Sequence, residues 1–435
     1  MEQAQVAGLI VGLVLGAVAI LGGIWKGGAS VLRWFRPSRR GPQSTTQPKV
    51  VVQHPKTSGT TVVNVYGGTV SVYVDGLPEA APVVRRHFQE GQRLQDAHEH
   101  DKAIAEFQAA LATADTDSRR GALHLDIGIS HYFSGRLPQA EGRYAEALRL
   151  FMAAGDDEGE AAALANWGLV YAMRGDPDRA EEHFKQALEI DRRIDDPLGQ
   201  ANALANLGTV HLRRGDPEQP ERHYKQALDI HRRIGDLFGQ AQDLVGLGNV
   251  CLVRGDLERA EEHYNQSLEI SRRIDNPLAQ ASALASLGNV WVLRGDLERA
   301  EEHYKQALEI FRRIDNPLGQ ANALGNLGNV YFARSDLELA EEHHKQALEI
   351  DRRMGNLLGQ AQDLCNLGLV AERRGRPKEA RRLLGEALAL YERIGVGGEG
   401  PDNVRAALRR LEEAGGEQKP QRRARKRKDQ EPPAG

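Results

Sequence analysis

PLAQASALASLGNVWVLRGDLERAEEHYKQALEIFRRIDN, residues 277–316, decides the fold. Asn276-Pro277 stops one helix and opens the next, because a first-turn proline gives up an N–H that had no partner. Leu278, Ala281, Leu284, Leu287, Gly288 and Trp291 then recur at helical spacing. Gly295 after Arg294 is a C-terminal stop, and Asp296 is a good N-cap for the next helix. There, Ala300, Tyr304, Ala307, Leu308 and Phe311 form a second apolar stripe, with Glu301 and Glu302 on the opposite face. Arg312 and Arg313 sit in the last turn, where a cation meets the helix dipole favourably. The unit is helix–turn–helix, and Gly288 and Ala300 are small where the two helices must come close.

The unit repeats. Leu244, Leu247, Gly248, Gly255, Ala260, Tyr264, Leu268 and Ile270 return 40 residues later as Leu284, Leu287, Gly288, Gly295, Ala300, Tyr304, Leu308 and Ile310. The helix glycine falls at Gly128, Gly168, Gly208, Gly248, Gly288, Gly328 and Gly368. A fixed period of this length means stacked units that bury their apolar faces on one another. Such a chain presents a long surface, which points to binding before catalysis.

The run Leu-x-x-Leu-Gly-x-x-Trp from Leu284 to Trp291, followed by Ala300, Tyr304 and Ala307, resembles the tetratricopeptide repeat. The period and the runs Leu247-Gly248-Asn249, Leu287-Gly288-Asn289 and Leu327-Gly328-Asn329 are similar to the long variant of kinesin light chains and many bacterial scaffold proteins. The resemblance covers about 121–394 in seven units; Gly91, Ala103 and Ala110 mark a shorter one before them. It implies an all-α superhelical solenoid over 82–398, of about eight units, with a capping helix at 401–414. Three residues depart from the pattern: Pro220 replaces alanine, Ser335 the turn glycine, and His344 the aromatic.

The resemblance further implies that one face of the first helices lines a concave groove. Asn166, Asn206, Asn326 and Asn366 precede the Leu/Trp-Gly pair, and Asn249, Asn289 and Asn329 follow the glycine. Offsets of three place both sets on one helix face. An amide there donates to and accepts from a peptide backbone; the competing reading is that these amides bond neighbouring loops and helices. Small Ala205, Ala285 and Gly325 leave room for a guest. Arg174, Arg214, Arg254, Arg294, Arg334 and Arg374 form a row at the first-helix ends, either reading acidic side chains of a ligand or answering the dipole. No lysine stands at these positions, so the two-carboxylate clamp of chaperone-binding relatives is not supported.

Other candidate chemistry is structural. Arg-Gly-Asp occurs at Arg174, Arg214, Arg254 and Arg294, where it is a helix stop and cap. His183, His223, His263, His303 and His343 recur one per unit, roughly 10 Å or more apart, too far to share a metal. Cys251 and Cys365 read as small buried hydrophobes of a reducing compartment. Phosphate loops, zinc motifs and nucleophile elbows are absent. The chain is read as a non-enzyme without cofactor or metal.

Charge is uneven. Residues 1–50 hold six Lys/Arg and one acid, residues 415–435 seven and three, which leaves 44 basic against 57 acidic between them, about −13. An acidic array argues against nucleic acid, whose phosphates need clustered cations. After a short tail, 1–5, Val6–Trp25 is uncharged and long enough to cross a bilayer. Lys26, Arg33, Arg36, Arg39 and Arg40 then place the N-terminus outside and the repeats in the cytoplasm; cleavage as a signal peptide is the alternative. Gly8, Gly12 and Gly16 share a helix face suited to self-association as a homodimer. Residues 26–60 read as a basic juxtamembrane segment and linker. Residues 61–76 alternate as a short hairpin around Gly67-Gly68, with three open destinations: the first repeat, a second chain, or disorder. Residues 415–435 form a disordered basic tail, and the high Arg-to-Lys ratio points to a GC-rich bacterial source. The expectation is a single-pass membrane scaffold whose groove binds a peptide segment of a partner protein, acidic segments being favoured. A self-assembling structural protein and an extracytoplasmic adaptor are the alternatives.

Overall fold

The computed structural model describes residues 60–65, 68–73, 82–97, 99–215, 218–396 and 400–413. These form one hairpin and a run of paired helices. Strands β1 (Thr60–Val65) and β2 (Gly68–Tyr73) pair antiparallel, Val63 opposite Val70, across a two-residue connection. The helices are α1 (Pro82–Asp96), α2 (His100–Leu111), α3 (Asp117–Phe133), α4 (Leu137–Ala154), α5 (Asp157–Arg174), α6 (Pro177–Arg193), α7 (Pro197–Arg213) and α8 (Gln219–Ile234). They continue as α9 (Leu237–Val253), α10 (Leu257–Arg273), α11 (Pro277–Leu293), α12 (Leu297–Arg313), α13 (Pro317–Ala333), α14 (Leu337–Met354), α15 (Leu357–Arg373), α16 (Pro377–Ile394) and α17 (400–413). Odd-numbered helices from α1 to α15 are the first helices of the units.

Within a unit the helices meet at glycine. A Cβ on Gly248 would lie 2.4 Å from the Tyr264 ring, and one on Gly288 2.6 Å from that of Tyr304. The ring lies flat against bare backbone, so the small residue read from the sequence is obligatory. Asp256, Asp296 and Asp336 cap second helices by accepting from the backbone N–H of Arg259, Arg299 and Leu339; such a cap is worth about 1 kcal/mol.

The turns between units bear out Asn276-Pro277 as the start of a helix: α11 opens at Pro277. The chain reverses just before it at Asp275, with φ 46°; Asp195 and Asp315 do the same at 56° and 51°. Aspartate tolerates this left-handed conformation better than most residues. Asn276 caps α11 by accepting from Ala279 N–H. Two departures from the pattern also find reasons. Pro220 is buried in the first turn of α8, which starts at Gln219, two residues later than its counterparts, where a missing N–H is tolerated. Ser335 keeps the left-handed turn, φ 66°, without glycine.

The molecule divides into two compact units, up to Gln320 and from Ala321. In the first, α3, α5, α7, α9 and α11 touch one another in succession and form a continuous wall of first helices. The hairpin lies on this wall: β2 packs against α3, α5 and α7, and β1 against α5. It therefore sits past the first repeat, α1–α2. In the second unit, Val404, Ala407 and Leu411 of α17 join the core of Leu383, Leu384 and Tyr391.

Among the described residues no helix is long and apolar enough to cross a membrane. The span Val6–Trp25, the glycines Gly8, Gly12 and Gly16, the linker and the basic tail lie outside the described residues.

Candidate interaction surface

The asparagines do not form the row of free amides expected from the sequence. Asn249 and Asn289 are 5% and 2% exposed, and each accepts the hydroxyl of its unit's second-helix tyrosine, Tyr264 and Tyr304, at 2.6 Å. Asn166 is fully buried and donates to the Ala162 carbonyl of its own helix at 2.9 Å. Asn206 and Asn326 are buried, while Asn329 and Asn366 are half-buried. For Asn249 and Asn289 the internal reading holds, and the reason is physical. A phenol buried against bare backbone needs an acceptor, and the side chain after the helix glycine supplies it. Thr209 plays this part for Tyr224, oxygen to oxygen 2.8 Å. Where the ring is Phe184, with no hydroxyl, that position is Leu169. The signal was present in the sequence: a polar residue fifteen positions before each of these tyrosines.

The arginine row is likewise committed. Arg174 pairs with Glu141, Arg214 with Glu181 and Asp178, and Arg254 with Glu221, each partner lying on the preceding unit's second helix. Arg294 reaches Glu261 at 2.6 Å and Arg374 reaches Glu341 at 2.8 Å; Arg334, at the same position, is half-buried. Lys225 and Arg254 together hold the Glu221 carboxyl down at about 2. Arg174, Arg214, Arg254, Arg294 and Arg374 thus link neighbouring units, a third role beside the two weighed from the sequence.

The recurrent histidines serve the same scaffold. Nδ1 of His183, His303 and His343 lies 2.8 Å from the carbonyl four residues earlier, and the rings pack on Tyr171, Trp291 and Tyr331 of the paired first helices. Among the described residues no group of three His, Cys, Asp or Glu side chains is placed to hold a metal.

A shallow depression lies between first helices of the leading unit. Tyr132 of α3, Leu169 and Met173 of α5, and Asn206, Thr209 and Arg213 of α7 line it. Its enclosed space is about 10 Å³, roughly that of one water and far below the roughly 300–1,000 Å³ of small-molecule clefts. Its floor is apolar. Its rim carries the Arg213 guanidinium, which donates to the Ala172 carbonyl at 2.9 Å. Of the predicted asparagines, Asn206 lines it. Met173 and Arg213 were missed: they occupy a position that changes from unit to unit, and periodicity gives no weight to what does not repeat.

Comparisons with known proteins converge on one architecture. The model of the MalT-like TPR region matches residues 233–419, and a tetratricopeptide repeat model matches 159–233. No curated protein matches the chain. Among solved structures, the apo form of RapI aligns at TM-score 0.50 and 15% identity over 63% of this chain and 99% of that one. A Rap protein complexed with competence and sporulation factor gives 0.49 and 17% over 77% and 99%. BtubC from P. vanneervenii gives 0.42 and 23% over 51% and 94%. At 15% identity, the likeness to RapI speaks for fold alone. The two family matches together run from 159 to 419, more than half of the 435 residues, over the same helix pairs, glycine seams and 40-residue period: the chain belongs to the tetratricopeptide repeat family.

Proposed function

We propose that this protein is a membrane-tethered adaptor that holds an extended segment of a partner protein on its first-helix wall. One observation carries the reading: a ribbon of extended backbone already lies across α3, α5 and α7. A surface that accepts one extended chain has the shape and chemistry for another. The repeats are built for protein contact rather than catalysis, and the wall offers apolar recesses with few charged side chains. Arg213 is the cation best placed to favour an acidic residue at the rim. Val6–Trp25 would supply the tether and Gly8, Gly12 and Gly16 a dimer contact within the membrane.

The test is affinity purification of the full-length chain from native membranes, comparing wild type with Met173→Trp, which fills the depression. Loss of the partner with helix content intact supports the wall as the docking face; equal recovery from both removes it. Protease accessibility in sealed vesicles reports the side of the membrane on which the repeats lie. Gly12→Ile in a membrane self-association reporter tests the dimer contact, which an unchanged signal would rule out.

A further inference from the structure

We infer that the outer edge of β1 is an assembly edge, which pairs antiparallel with the same edge of a second copy of this chain to give a four-stranded sheet. The contact is independent of the docking face proposed above, since it engages the backbone of the ribbon and not the depression in the wall.

The register fixes which backbone groups face outward. Thr60 to Val65 pair in turn with Tyr73 to Gly68, without a bulge. A two-residue connection is closed by hydrogen bonds between the residues that flank it, here Val65 and Gly68. Bonded and non-bonded pairs then alternate along an antiparallel ladder. Val65, Val63 and Thr61 therefore direct their N–H and C=O groups to β2, whereas those of Thr60, Val62 and Asn64 point away from it. Among the described residues no third strand meets them.

β1 is also the strand set off from the helices: β2 packs against α3, α5 and α7, β1 against α5. A free edge templates pairing with another chain, and sheets ordinarily blunt it with a charge, a proline, a bulge or a cover. The strand TTVVNV holds no charged residue and no proline, and five of its six residues are β-branched, the type that favours extended pairing. Two strands alone are marginal in water and need further strands or a helix face. β2 has the helices to lie on; the outer edge of β1 has no strand.

Two observations identify the occupant as a second copy. The first is symmetry. The outward groups sit at Thr60, Val62 and Asn64, evenly about Val62. A twofold axis through Val62 pairs it with Val62 of the second copy, and Thr60 with Asn64. Every outward N–H and C=O on both edges is then satisfied, whereas a register centred on Thr61 or Val63 leaves some unpaired. Such self-complementarity is what an isologous contact requires. The second is where the preceding chain leads. Residues 1–59 run into Thr60 and contain Val6–Trp25 with Gly8, Gly12 and Gly16, the segment proposed above to hold two copies side by side. Copies inserted in the same sense in one bilayer are related by a twofold axis along its normal, which sets strands lying across that axis antiparallel.

The experiment uses the full-length chain, in lipid vesicles for cross-linking and in detergent micelles for size. Mild oxidation should join two Val62→Cys chains through one disulfide. Residues of a bonded pair have Cα atoms about 5.5 Å apart, within the roughly 4.4–6.8 Å that a disulfide spans. Ser71→Cys, one strand in from the edge, should not cross-link, because its counterpart lies three strand spacings away, about 14 Å. Wild type, with its buried Cys251 and half-buried Cys365, gives the background. Val62→Pro removes an outward N–H and spares the ladder to β2, as proline does on an edge strand. Helix content should hold while the dimer dissociation constant rises about tenfold or more, from the loss of two hydrogen bonds per dimer. Val62→Lys, which sets like charges opposite each other at the axis, should weaken the dimer too. A dimer unmoved by both variants, a cross-link at Ser71→Cys rather than Val62→Cys, or a chain monomeric at every concentration overturns the inference. A cross-link from Val62→Cys to a different protein of native membranes, with none between copies, also overturns it, in favour of a foreign strand on this edge. Partner recovery with Met173→Trp reads the wall alone, so loss of the β1 contact leaves the adaptor reading standing, and equal recovery from wild type and Met173→Trp leaves the β1 contact standing.

Discussion

The first-helix wall of the leading unit is not the same surface along its length. At α5 and α7 the residue after the helix glycine is Leu169 or Thr209, and both line the depression. At α9 and α11 the same position is Asn249 or Asn289, each turned inward to a tyrosine hydroxyl. The second helices account for part of the difference: Phe184 asks for nothing and Tyr224 takes the short Thr209, whereas Tyr264 and Tyr304 take asparagines. At Asn249 and Asn289, a polar row that looks like a recognition code is thus an internal requirement of the scaffold.

Four perturbations test this contrast, from the largest expected effect to the smallest. Gly288→Val drives side-chain carbon into the Tyr304 ring and should cost about 3 kcal/mol in denaturant unfolding. Gly142→Ala, at a helical site where a Cβ meets nothing within 4 Å, should instead stabilise by about 0.5–1 kcal/mol. Similar losses at both sites would break the claim that ring contact, not glycine itself, defines the seam.

Asn289→Ala leaves the Tyr304 hydroxyl buried without its acceptor and should cost about 2 kcal/mol. Converting the seam to the α5–α6 version, Asn289→Leu with Tyr304→Phe, should recover most of that. A double-mutant cycle should then give a coupling of about 1–2 kcal/mol; additivity would place the asparagine's role elsewhere.

A third perturbation compares seams between units. His231 of α8 lies 2.6 Å from Asp243 of α9, the pair being 2% and 1% exposed, where the next seam has Ser271 and Ala283. Burial opposes the charged ring, yet the Asp243 carboxylate outweighs it and holds the His231 pKa above its ordinary value. Burial likewise raises Asp243 to about 6. A raised histidine contributes stability that is complete below its unfolded pKa, near 6.5, and lost as pH rises through the folded value; the raised Asp243 shifts stability in the same direction. The melting temperature should therefore fall by a few degrees more between pH 6 and 8 in wild type than in His231→Ser with Asp243→Ala. Parallel curves would show that the pair does not titrate in that window.

The smallest effect is expected at the arginine staples. Arg294 and Glu261 are 23% and 31% exposed, and such pairs contribute only about 0–1 kcal/mol. Arg294→Ala should cost about 0.5 kcal/mol and leave partner recovery intact. Loss of the partner with unchanged stability would return this row to the recognition surface.

The fold was legible because its determinants repeat. Gly248 and Gly288, the caps Asp256 and Asp296, and the apolar stripes recur with the period, and each obeys a local rule. The site was less legible, because it depends on what each side chain meets across the seam. Asn289 could be assigned only by knowing that Tyr304 approaches it, fifteen residues on. Arg294 was placed at the correct helix end, but its partner, 33 residues back, is set by the stacking of units. The ribbon's valine alternation was visible, and its resting place past the first repeat was not, since no local pattern links β2 to α5.

The register of that ribbon has a mechanical consequence. Thr60 and Tyr73 are paired at its open end, so the chain enters and leaves at neighbouring points. A load pulling the segment before Thr60 away from the repeats strains one cross-strand pair at a time, like a zipper opened from its end. Six pairs that part in sequence yield at far lower force than six sheared together. Tension along the polypeptide would thus peel β1 from β2 first, while β2 keeps its packing on α3, α5 and α7.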